Sequence, residues 1–170
     1  MAGLSIEDHF QAVDPPWVQL LVVEQGHVFD LEKVLCQIPD YVVRVIDGNK
    51  CKNPLELFSE FARVLNFPNY FGNNWAALDE CITDLDWEPA KGYVLLIRDA
   101  DQLLADGSQQ DYVNFVGIMK KAGEEWSIPQ VGEWPRSGTP FHVLFIVSDT
   151  KRQSRADWTI SEIKLDCHAG

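Results

Sequence analysis

A chain of 170 residues, 46% hydrophobic and 24% charged, has the ordinary globular mixture, which excludes wholesale disorder. It is also long enough to bury a core without a disulfide or metal staple. With 26 acids against 14 bases the formal net charge is −12, which argues against direct contact with nucleic-acid phosphates or an anionic membrane, since either needs a basic face.

The first apolar run, Val18–Val23, reads as a strand closed by the turn signal Glu24-Gln25-Gly26. Phe29, Leu31, Val34, Leu35 and Ile38 then recur at helical spacing, and a second strand, Tyr41–Ile46, ends at Asp47-Gly48. Asn53 as N-cap, Pro54 at the first helical position and Glu56 completing a capping box predict a helix. Its expected buried stripe is Leu55, Phe58, Phe61, Ala62 and Leu65, and Asn66-Phe67-Pro68-Asn69 stops it. A second helix is expected from about Asn74 to Leu85, then a third strand, Tyr93–Ile97, and a short helix over Asp101–Ala105. A longer helix opens at Asp111 and runs from Tyr112 to about Trp126, burying Val113, Val116, Ile118 and Met119 in some combination. Gly132–Pro140 reads as a loop and Phe141–Val147 as the fourth core strand. Lys151–Arg155 is a basic polar connector, and Trp158, Ile160, Ile163 and Leu165 suggest a final strand with a break in its alternation. Near-continuous β-branched and aromatic runs belong to strands covered on both faces, so the expected fold class is α/β, with a small, mainly parallel sheet flanked by helices.

Met1–Phe10 has no basic segment followed by an apolar run, and no apolar stretch approaches the roughly 18 residues of a membrane span. The four cysteines, Cys36, Cys51, Cys81 and Cys167, lie far apart and read as buried thiols of a reducing cytoplasm. A cytoplasmic protein is expected. The sequence offers little for catalysis. His9, His27, His142 and His168 stand alone, with His142 placed as a hydrogen-bonded histidine inside a strand, and there is no nucleophile elbow, phosphate loop or zinc-binding helix motif. Asp99 and Asp101 read as a helix start rather than a cation site. No enzyme activity, metal or cofactor is expected.

The informative stretch is Phe67–Trp87. At about 100° per residue, Trp75, Leu78, Cys81, Ile82 and Leu85 share the face that meets the sheet, while Ala76, Asp79, Glu80, Thr83 and Asp84 share the wet one. Between Arg63 and Lys91 there is no lysine or arginine, yet Asp79, Glu80, Asp84, Asp86 and Glu88 all fall there. A solvated helix face usually mixes signs, because ion pairs one turn apart each help by a few tenths of a kcal/mol. Here the acids lack a local basic partner. Just before them, Tyr70-Phe71-Gly72-Asn73-Asn74 sets two aromatics beside a glycine and two amides, with one aromatic expected inside because adjacent side chains diverge. An aromatic, acidic loop and helix side by side suit docking to a basic concave partner.

The pattern P-x-Y-[YF]-G-x-N-x-x-A-L-x-[DE]-C-[LI]-T, present from Pro68 to Thr83, resembles the barstar family, the intracellular inhibitors of barnase-type ribonucleases. The order of elements over residues 41–148 is similar too. The resemblance implies a three-layer barstar-like domain at 41–148, with an N-terminal extension at 1–40 and a C-terminal one at 149–170. It also implies a partner, a basic ribonuclease or toxin-like nuclease, whose active site is plugged by carboxylates standing in for RNA phosphates. The implied contact residues are Tyr70, Phe71, Asn73, Asn74, Asp79, Glu80, Thr83 and Asp84. Tyr70, Gly72, Asn74 and Thr83 match the family, and Phe71 stands where tyrosine is common. Of two helix positions that carry the family's contact carboxylates, one holds Ala76 and the other Glu80, longer than the usual aspartate. Asp79 falls at a variable position, and Lys120 lies where a later helix would supply a further acid. These departures point to a divergent nuclease rather than barnase itself, with a barstar-fold adaptor for a non-nuclease partner as the alternative. The extensions are expected to extend the sheet or shield an edge, or, for the tail strand, to pair with a second copy. Oligomeric state stays open.

Overall fold

The computed structural model describes residues 5–24 and 28–164. The elements in chain order are α1 (Ile6–Gln11), β1 (Val18–Val23), α2 (Val28–Leu35), β2 (Tyr41–Asp47), α3 (Pro54–Val64), α4 (Trp75–Asp84), β3 (Gly92–Arg98), α5 (Gln109–Ser127), β4 (Phe141–Ser148) and β5 (Ser161–Ile163). The five strands form one sheet in the order β2-β3-β4-β1-β5, and every neighbouring pair is parallel. The mainly parallel sheet expected from the sequence is therefore wholly parallel among the described residues.

Strand alternation builds two cores. Val18, Leu20, Tyr93, Leu95, Ile97, Phe141, Val143, Phe145 and Val147 face α3, α4 and α5, while Leu21, Val23, Val94, Leu96, Leu144 and Ile146 face α1 and α2. Because both faces are covered, β3 and β4 read as continuous apolar runs. The result is the three-layer α/β arrangement, helices–sheet–helices. β1 lies inside the sheet, zipped along β4 from Val18 opposite Val143 to Val23 opposite Ser148, and β5 adds to its other side. The tail strand thus extends the sheet within its own chain. The strand is shorter than expected: Trp158 and Ile160 lie before it, and Thr159, at φ 57°, stands between them where Trp158 packs into the core. Gln25, Gly26, Leu165 and Cys167 lie outside the described residues, as do His27 and His168.

Several local expectations are corrected. In α3 the buried residues are Leu57, Phe58, Glu60 and Phe61, whereas Leu55 is 68% exposed. Leu57, Phe58, Phe61 and Leu65 centre the stripe near Phe61, more than a quarter turn from Leu55 at about 100° per residue. Asn53 Oδ1 accepts from the Glu56 amide at 3.0 Å, but the Glu56 carboxylate reaches one residue past the cap, to the Lys52 amide at 3.1 Å. Helix α5 starts earlier than Asp111. Ser108 is its N-cap, and Asp111 is the residue that closes the capping box back onto it. Within α5, Val116 and Met119 are buried and Val113 is exposed. The short helix before it is a single 3-10 turn, Ala100–Gln102, and the basic connector coils as another, Asp149–Ser154. Cys36 is exposed, unlike Cys51 and Cys81, because it follows the last turn of α2. Gly123 lets α5 approach β1, since a side chain there would collide with the Trp17 ring.

Candidate functional site

The histidines do not assemble a site among the described residues. His142 is 2% exposed, and its Nε2 lies 2.7 Å from the Ala12 carbonyl. Burial pushes its pKa down to about 4, against the pull of that hydrogen bond, and neighbouring His9 adds to the fall. His9 itself meets Gln19 at 2.7 Å. Asp99 accepts from Asn49 and Asp101 from Gln102, and among the described residues no group of three His, Cys, Asp or Glu could hold a metal ion. No described helix is long and apolar enough to cross a membrane.

The loop before α4 is built from the inside outward. Phe71 packs on Phe67 and Phe58, at ring distances of 4.9 and 6.3 Å, and Trp75 meets Phe58 edge-on at 4.9 Å. With Phe71 committed inward, Tyr70 is left 70% exposed. Asn73 takes the left-handed region at φ 51°, a conformation asparagine tolerates, and turns the chain into the helix. Asn74 then caps α4: its Oδ1 accepts from the Ala77 amide at 2.8 Å while its Nδ2 donates to the Gly72 carbonyl at 3.2 Å. So Phe71 and Asn74 set the surface, whereas Tyr70 and Asn73 present themselves on it. Leu78, Cys81, Ile82 and Leu85 anchor the helix to the sheet.

The wet face of α4 divides in two. Asp79 is not free: its Oδ2 accepts from Lys121 of α5 at 2.7 Å, and Lys121 also reaches Glu125 at 3.6 Å. Glu88 is likewise held, by Arg44 at 3.0 Å and by Asn66 at 2.9 Å. These two acids, which lack a local basic partner in the sequence, are answered by cations from elements distant in sequence. Lys120 donates instead to the Thr159 carbonyl, away from α4. Glu80, Asp84 and Asp86 are the other group, and no ion pair reaches them among the described residues. Partial burial, a hydrogen bond shared with Asp86 and the charges of Asp86 and Glu80 hold the Asp84 carboxyl above the usual aspartate range. Slight desolvation, Cys81 and then Asp84, Glu80 and Asp86 push the exposed Tyr70 hydroxyl up, so these carboxylates bear on the phenol as one field. Thr83 sits among them with its hydroxyl donating to the Asp79 carbonyl at 2.8 Å. Asp86 joins this group although it lies beyond the helix. Leu85, at φ 48°, ends α4 in the left-handed region. On the other side of Asp79, Ala76 opens onto a shallow groove between α4 and α5 with Trp75, Val113, Gly117 and Lys121.

A family model described as Barstar (barnase inhibitor) matches residues 41–146, more than half of the chain. The chain belongs to the barstar family. The barstar match starts at the first residue of β2 and stops two residues short of the end of β4, and it includes the whole of the loop and α4. Barstar membership also implies that a protein is the natural partner. No curated protein matches the chain. Among solved structures it is similar to the Aeropyrum pernix ORC2 protein in its ADPNP–ADP complexes, with a TM-score of 0.52 and 12% identity over 86% of this chain and 38% of that one. The chain spans well under half of that protein, and at such identity the likeness is one of fold alone.

Proposed function

We propose that this barstar-family chain is a non-enzymatic, intracellular, stoichiometric inhibitor of a basic ribonuclease, which it blocks with the loop and wet face of α4. The observation that carries this reading is the group formed by Glu80, Asp84, Asp86 and Tyr70: acids whose repulsion raises the Asp84 carboxyl and the Tyr70 phenol, with no ion pair reaching them among the described residues. Such repulsion is relieved by guanidinium and ammonium groups of a partner, through charge-assisted hydrogen bonds, and the same field speeds the encounter. Asn74 and Phe71 hold the surface in place before the partner arrives, which lowers the ordering cost of binding. Ala76 and the Lys121–Asp79 pair remove charge from one side of the helix, so the target is expected to differ from barnase in the cations it presents there.

The test is inhibition of basic microbial ribonucleases by the purified chain, wild type beside Glu80→Arg. Inhibition saturating at one chain per enzyme and lost with Glu80→Arg at an unchanged thermal midpoint is the expected result. Binding that survives Glu80→Arg, or an identified partner without nuclease activity, would favour the second reading, a barstar-fold adaptor. That reading draws on the groove beside Ala76, where the only charges, Asp79 and Lys121, are paired with each other. Salt separates the two, because an acidic plug loses association rate as ionic strength rises and an apolar contact does not.

A further inference from the structure

Helices α4 and α5 lie side by side and run the same way: Lys121 stands opposite Asp79, and farther along Trp126 Nε1 donates to the Ile82 carbonyl at 3.0 Å. Both therefore finish at one edge of the molecule, the edge that carries Asp84 and Asp86. The chain leaving α5 makes a small hairpin there. Gln130 and Arg136 exchange backbone hydrogen bonds of 2.7 and 2.9 Å, the Arg136 guanidinium lies over the Trp126 ring at 3.9 Å, and the Thr139 amide donates to the Trp126 carbonyl at 2.7 Å. A base fastened at these points holds out a tip that packs on nothing: Val131 is 94% exposed and Trp134 84%, with exposed Glu133 between them. Ile128, 54% exposed, extends the apolar surface toward α5.

We infer that this hairpin is a second arm of the same binding surface, and that Trp134 and Val131 seat against the rim of the basic protein whose cationic centre receives Glu80. The inference rests on the inhibitor reading above and adds the part of the partner it needs: an apolar patch bordering the cationic site. Three observations commit it to that occupant. The arm begins at the edge where the unpaired carboxylates end, so one partner reaches both. Its single cation, Arg136, is drawn back over Trp126, leaving Glu133 as the charge at the tip, complementary to a basic surface. A tryptophan displayed on a fastened turn loses little freedom on docking, and tryptophan is the residue most enriched among those that dominate interface energetics.

Surface plasmon resonance with a panel of basic microbial ribonucleases as the probes tests it, using wild type, Val131→Ser/Trp134→Ala, Trp134→Tyr and Glu80→Arg. The double variant is expected to bind about thirtyfold more weakly, through faster dissociation at an unchanged association rate and thermal midpoint, with Trp134→Tyr retaining most of the affinity. Glu80→Arg is expected to act on association as well. A double variant that binds like wild type overturns the arm and leaves the inhibitor reading standing. Wild type that binds no such ribonuclease overturns both.

Discussion

Helices α3 and α4 are neighbours on the same face of the sheet, and each carries acids, but the fold treats them differently. Glu56 on α3 accepts from the Lys52 amide; Glu60, 4% exposed, accepts from the Asp47 amide at 3.1 Å and from two Arg63 nitrogens at 2.9 and 2.7 Å. Those carboxylates are consumed by the protein's own donors. On α4, Asp79 gives one oxygen to Lys121 while its other oxygen is buried without a partner, whereas Glu80, Asp84 and Asp86 gain no ion pair among the described residues, and Asp84 is raised by the other two. The difference separates acids that hold the fold from acids that the fold tolerates, and only the second kind is available to a partner.

That distinction is broken most directly by reversing one charge on each helix. Glu80→Arg is expected to weaken partner binding by at least a hundredfold, about 3 kcal/mol, while Glu56→Arg changes it little; titration calorimetry with the target ribonuclease reads both. Equal effects would erase the distinction. Next in size is Glu60→Ala, expected to cost about 2 kcal/mol in chemical denaturation because the Asp47 amide and a buried volume lose their partner, with affinity unchanged. Asn74→Ala removes a cap and is expected to cost about 1 kcal/mol of stability, together with a measurable loss of affinity because it also frees the loop. Smallest is Asp86→Asn, expected to raise stability by a few tenths of a kcal/mol by relieving Asp84. Its pH signature sharpens the contrast. A carboxyl raised in the free protein must give up its proton to meet a cation, so wild-type affinity falls as the pH drops through the carboxylate range. With Asp86→Asn that fall moves to lower pH.

The layers, the four long strands and the sheet-facing stripe of α4 were legible in the sequence because period and composition are local signals. What escaped was set by contacts distant in sequence. Lys121 belongs to a helix whose pattern says nothing of α4, and only the parallel docking of the two helices brings it to Asp79. Leu55 fits the helical period of α3, yet the bulk of Phe58 and Phe61 turns that helix away from it. Asp111 is itself a good N-cap residue, so the sequence pattern alone does not single out Ser108, three residues before it; the box they form shows which is outside the helix. In the site, the diverging pair Tyr70 and Phe71 could be foreseen from adjacency alone. That Asp86 would come close enough to raise Asp84 could not, since it depends on the left-handed turn at Leu85. The display of Trp134 was hidden in a stretch whose glycines, prolines and serine say only that a loop is present.

The place of β1 in the sheet has a consequence for how the protein comes into being. Residues 41–146 alone would supply β2, β3 and most of β4, leaving the apolar strand Phe141–Ile146 with a bare row of amides and carbonyls along one side. Such a margin recruits strands from other molecules. The segment that guards it is made early and must wait for Phe141–Ser148 to emerge before Val18 can find Val143. Pairings so distant in sequence form late and slowly. A ribosome-bound fragment ending between the two leaves β1 and one side of β3 unpaired, and removal of Val18–Val23 would leave the margin of β4 bare in the finished chain.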